Sequence, residues 1–149
     1  MPSDAAKSVI GDLQATLAEL IDLALIGKQA HWNVVGPNFR SIHLQLDEIV
    51  DVARLSADRI AERIATLGGA PEGRPVAVAA ASKLPDFPSG EIHVEETVKR
   101  ITEVIDTATG RMHERMGRVG ESDPVSQDAL IEASDQLEKQ AWMLRAQLS

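Results

Sequence analysis

Apolar residues recur along this chain at spacings of three and four, the pattern of helices that each bury one face. In the first such stretch, from about residue 4 to residue 34, Leu13, Leu17, Leu20, Ala24 and Gly27 form a stripe that His31 continues. Gly36-Pro37 stops it, because proline disfavours helical geometry in the residue before it, and Asn38 stands where the next helix needs a cap. The second stretch, about 41–66, carries Ile42, Leu46, Ile49, Ala53, Ala57, Ile60 and Ile64, with Leu67 at its end. So short a connection makes the two helices antiparallel neighbours. The third, about 91–119, aligns Val94, Val98, Ile101, Ile105, Ala108, Met112 and Val119, and Gly120 ends it. Asp123 and Pro124 open the fourth as cap and first-turn proline, and Leu130, Ala133, Leu137, Ala141, Leu144 and Leu148 make its core face.

Between residues 68 and 90 the pattern breaks at Gly68, Gly69, Pro71, Gly73, Pro75, Pro85, Pro88 and Gly90, although the alanine- and valine-rich run 76–83 predicts a short helix. A connection this long is no hairpin turn, and a crossover spanning a bundle accounts for it. No alternating strand pattern and no internal repeat is present. The expected fold is all-α: a ferritin-like four-helix bundle with a short extra helix in the long middle connection, one domain over residues 1–149.

Composition narrows the chemistry. The chain has 149 residues, 44% hydrophobic and 26% charged, enough for one real core. With no cysteine it has no disulfide, no thiolate metal site and no cysteine nucleophile. No apolar run approaches the ~20 residues that span a bilayer. The opening residues 1–7 lack a basic segment followed by an apolar one, so a cytoplasmic protein is expected. The net charge of −8 repels phosphate backbones, Lys7 stands alone near the front, and residues 145–149 contain no basic run. DNA binding through tails is therefore not expected.

The second helix bears chemistry on one side. With His43 at zero and ~100° per residue, Asp47 falls near 40°, Asp58 near 60° and Glu62 near 100°, beside an apolar face centred near 280°. An imidazole and three carboxylates suit iron, manganese or zinc. Asp47 and Asp58 lie ~16 Å apart along the axis, whereas ligand atoms sit ~2.0–2.2 Å from an ion. One straight helix cannot bring them to one ion, but an antiparallel copy crossing near Val52 sets Asp58 of one chain beside Asp47 of the other. No Glu-x-x-His pair or His-Glu-x-x-His motif offers an intrachain alternative. The same residues also read as a solvated acidic face, with Arg54 on that face as a counterion.

The run Lys28-Gln29-Ala30-His31-Trp32-Asn33, then Asn38-Phe39, His43 with Asp47, Asp58 with Glu62, and Leu67-Gly68-Gly69 resembles the Dps miniferritins, DNA-binding proteins from starved cells. Helix order and a late tryptophan, Trp142, extend the likeness over nearly the whole chain. The resemblance implies a ferroxidase centre of His31, His43 and Asp47 from one subunit with Asp58 and Glu62 from its two-fold partner. It implies a hollow dodecamer that oxidises ferrous iron, with hydrogen peroxide as oxidant, and stores ferric mineral. Trp32 resembles the family's tryptophan near that centre, a suspected electron donor or radical trap, although packing accounts for it equally. Asp123, Asp128 and Glu132 resemble the acidic lining of the family's iron-entry pore, while capping by Asp123 and plain solvation explain them too. Protection of DNA would then be chemical, with magnesium-bridged contact to DNA as another route. A DNA-compacting protein with a vestigial metal site is the alternative.

Overall fold

In a computed structural model, described here for residues 3–149, the periodicity becomes five helices. They are α1 (Asp4–Asn33), α2 (Phe39–Thr66), α3 (Pro75–Ala81), α4 (Val94–Gly120) and α5 (Pro124–Ala146). Met1 and Pro2, part of the opening segment read above, lie outside the described residues. The four long helices form the bundle, with α1 packed on α2 and α4 packed on α5, and α3 lies against α1 within the crossover. Every apolar position assigned to the stripes of α1 and α4 is buried. Burying such a side chain contributes ~1.5–3 kcal/mol, so the stripes supply most of the drive to fold.

Several local expectations are corrected. Residues Ile92–His93 pair in parallel with Val34–Val35, a two-residue bridge that carries the crossover back beside the first hairpin. That pairing holds 92–93 extended, so the third long helix starts at Val94 rather than near 91. Asn38 stands at the cap position of α2 but is left-handed, with φ of 62°, and its side chain makes no capping hydrogen bond. The left-handed region tolerates asparagine better than most residues, which explains its presence there. Gly120 is the last helical residue of α4 rather than a left-handed terminator, since the cap Glu121 is right-handed. Leu148 lies beyond the end of α5 and is exposed, and Leu67 is only partly buried.

Two glycines are required by space. A Cβ on Gly27 would stand 2.7 Å from Val50 Cγ2, so α1 and α2 close together only with glycine there. Gly36 has φ of 117°, and a Cβ on it would stand 2.8 Å from His93 Nε2. Both lie in the α1–α2 hairpin, whose closed end carries the candidate site.

The α1–α4 seam is polar. Glu19, essentially without solvent exposure, has one carboxylate oxygen 2.7 Å from Arg111 Nε and the other 2.7 Å from Arg115 Nη1. These are charge contacts without aligned hydrogen bonds to the carboxylate, whereas Arg115 Nη1 also donates to Thr16 Oγ1 at 3.1 Å. Further along the seam Arg118 pairs with Asp12 at 2.9 Å.

Candidate metal centre

Helix α1 ends at Asn33, so the carbonyls of its last turn lack intrahelical partners. His43, early in α2, supplies one: its Nδ1 donates to the carbonyl oxygen of His31 at 2.7 Å. The bond is returned, with His31 Nδ1 donating to the carbonyl of His43 at 2.6 Å. A carbonyl oxygen only accepts, so each Nδ1 carries the proton and each neutral imidazole keeps its lone pair on Nε2, the form in which histidine binds metals. The rings stack with centroids 3.7 Å apart and planes within 12°. Imidazole ligates an ion lying near its ring plane. Two nearly parallel planes at that separation share no such point close by, so His31 and His43 suit two ions rather than one.

Asp47 stands one turn beyond His43 on α2. Its Oδ1 lies 3.9 Å from His31 Nε2 and accepts from Lys28 Nζ at 2.5 Å. The hydrogen bond from Lys28 holds the Asp47 carboxyl below its ordinary range, outweighing desolvation, with the charge of the ammonium adding to it. The remaining two candidates, Asp58 and Glu62, are exposed and form a second group further along the same helix. They stand one helical turn apart. Hydrogen bonding with Asp58 and the negative charge of Asp58 push the Glu62 carboxyl upward, a repulsion that a divalent cation would relieve. Among the described residues no three His, Asp or Glu side chains of one chain gather into a metal-binding cluster. The five candidates thus form two separate half-sets on one hairpin. Arg54, weighed above as their counterion, makes no ion pair among the described residues; Lys28 is the partner that α2 periodicity alone missed. Its place three residues before His31 in α1 was the available signal.

Trp32 is 70% exposed beside His31, and Phe39 packs at 5.3 Å against the His43 ring. An indole this open is not packed into its own chain's core. At the other end of α2, Arg59 pairs with both Asp128 and Glu132 of α5, and Arg63 Nη2 reaches Asp123 at 3.0 Å. Asp123 also accepts from the backbone amides of Val125 and Ser126, each at 3.2 Å, as the α5 cap. All three acidic residues are thus engaged by arginines of their own chain.

This geometry has close relatives. The ferritin-like domain family matches residues 10–149. The chain is 35% identical over 147 residues to a DNA protection during starvation protein of Agrobacterium fabrum, covering 98% of this chain and 91% of that one. A similarly named protein of Deinococcus radiodurans is 37% identical over 140 residues, 94% of this chain but only 58% of the longer relative. Among solved structures, Mycobacterium smegmatis Dps superposes with a TM-score of 0.94 at 37% identity, covering 99% of this chain and 91% of that one. With a ferritin-like match across the bundle and relatives of this identity along nearly its full length, the chain belongs to the Dps family of ferritin-like proteins.

Proposed function

We propose that this protein is a ferroxidase and iron store, oxidising ferrous iron at centres shared between two-fold related chains and keeping the ferric product inside a dodecameric shell. The observation that carries the reading is the cross-bonded His31–His43 pair, whose tautomers are fixed with both Nε2 atoms left as ligands. His31, His43 and Asp47 form one half-set, and Asp58 and Glu62 of a second copy complete it. In this arrangement the two neighbouring carboxylates balance the charge of the arriving iron and favour the ferric state.

With hydrogen peroxide as oxidant, two ferrous ions each give up one electron and the O–O bond of one peroxide breaks. Both electrons enter one peroxide, so no hydroxyl radical is released. Hydrolysis to ferric oxyhydroxide then sheds four protons for each peroxide consumed. Two imidazoles suited to two separate ions support paired oxidation. Trp32, exposed beside His31, is placed to intercept a stray oxidising equivalent.

DNA is protected chemically, by consumption of iron and peroxide in the cytoplasm; the formal charge of −8 argues against coating by this chain. Asp128 and Glu132, with Asp123, serve as an acidic route for iron only if Arg59 and Arg63 yield them. His31→Ala combined with His43→Ala tests the centre: peroxide-driven iron oxidation slows at least tenfold while the shell stays assembled. Wild-type oxidation by that variant overturns the assignment.

A further inference from the structure

The ligand face of α2 is symmetric along the helix. The helix runs unbroken from Phe39 to Thr66, so spacing along it converts directly into position. A shared centre needs His43 level with Glu62 of the partner subunit, and Asp47 level with Asp58 of the partner subunit. Both pairs are centred on one point, between Val52 and Ala53. Asp51 and Arg54 are centred on that point too, and at ~100° per residue from His43 they fall near 80° and 20°, within the arc of the ligands. Both are exposed, and among the described residues neither joins an ion pair of its own chain. The next two arginines of α2 are occupied: Arg59 by Asp128 and Glu132, Arg63 by Asp123. Arg54 is therefore an uncompensated cation on the face where a second copy docks.

We propose that Asp51 and Arg54 are positioning residues for the centre: each Arg54 pairs with Asp51 of the partner subunit beside the two-fold axis, and these pairs fix the register in which both metal centres are complete. The proposal rests on the shared-centre reading above. In an antiparallel crossing about the point between Val52 and Ala53, Arg54 of either copy stands level with Asp51 of the partner subunit, so the axis generates the pair twice. A slip of one helical turn is penalised in both directions. One slip sets Asp47 beside Glu62 of the partner subunit, but it also opposes Asp51 to Asp58 of the partner subunit, like charge against like. The other sets Asp47 beside Arg54 of the partner subunit, which puts a cation on a metal ligand. Of the three registers, only the centred one pairs Asp51 with Arg54 and completes both centres. Charge complementarity of this kind selects register and partner more than it adds affinity.

Two charge-reversed chains test it. Asp51→Arg alone gathers only cations at the axis of its homodimer, and Arg54→Asp alone gathers only anions. In a mixed dimer every arginine there again meets an aspartate of the other chain. The two chains are co-expressed and stripped of metal, and native mass spectrometry of the released dimers separates the three compositions. Random pairing gives about half mixed dimers, whereas the proposal predicts at least about nine in ten. A share near one half overturns it, because a pair formed within one chain gains nothing from mixing. Iron oxidation is expected to fall at least about tenfold in either variant alone, since a displaced half-set leaves each centre incomplete. It recovers in the mixture and in the chain carrying both reversals. Wild-type oxidation by both single variants, or no recovery in either rescue, overturns the proposal. Should a single variant fail to fold alone, the mixture and the doubly reversed chain are read by the same criteria. Failure of the shared centre looks different: mixed dimers would still dominate, while Asp58→Ala would oxidise iron at the wild-type rate.

Discussion

His31 and His43 each donate Nδ1 to the other's backbone carbonyl, at 2.6 and 2.7 Å, so one pair of hydrogen bonds both closes the α1–α2 hairpin and fixes two metal-ready tautomers. Structure and chemistry here share the same atoms. The orphan carbonyl at the end of α1 is satisfied by the ring that the site also needs held still.

The Asp58–Glu62 pair makes cation binding depend on pH. Glu62 titrates above its ordinary value because Asp58 shares a hydrogen bond with it and repels its ionised form. A cation that takes the pair competes with the proton that Glu62 binds in acid, so affinity rises as pH rises through that titration. Zinc titrations in acidic buffers of different ionisation enthalpy check this. Proton release should appear in the wild type and diminish in Glu62→Gln, and equal release by both would contradict the pairing.

Asp123 gives an acid-side signature of stability. Burial raises its carboxyl, but hydrogen bonds from Ser126 and Arg63 outweigh burial and leave it below the ordinary value. A depressed folded-state carboxyl stabilises above its unfolded value, ~3.9, and that contribution is lost as pH falls through the folded one. Asp123→Ala is therefore expected to cost about 0.5–2 kcal/mol near pH 7, the range for a lost helix cap, and progressively less in acid. Urea midpoints of both proteins at several pH values measure it. A difference that stays constant into acid would contradict the charge-based part.

The buried Glu19 contacts predict an asymmetry. Arg115→Ala leaves a carboxylate with almost no exposure short of one of its two guanidinium neighbours, at a cost of about 3–5 kcal/mol. Glu19→Leu combined with Arg115→Leu removes charge from both sides, and it should cost much less. Thermal or urea unfolding of the two variants decides; equal losses would show that packing rather than charge governs this seam.

The legible parts of the sequence were those set by periodicity. The stripes of α1 and α4 were visible because buried positions at spacings of three and four leave little else possible. The same counting put His43, Asp47, Asp58 and Glu62 on one side of α2 and revealed that Asp47 and Asp58 are too far apart for one ion. What it missed were contacts between elements. Nothing in α2 alone discloses that Lys28 of α1 meets Asp47, that Ile92–His93 bridges to Val34–Val35, or that Arg59 takes Asp128 and Glu132 together. Asn38 misled because asparagine suits both a cap and a left-handed turn, and the choice depends on the backbone that Gly36-Pro37 imposes.

The shared centre is tested most directly by mixing two inactive proteins. Asp47→Ala and Asp58→Ala each damage every centre in their own homodimers. A mixed dimer would carry one doubly damaged centre and one intact one. Random mixing in equal amounts then restores about a quarter of the centres. Co-assembled shells are predicted to recover iron oxidation near that fraction, with each variant alone close to background. No recovery in shells shown to contain mixed dimers would contradict a centre built from two chains.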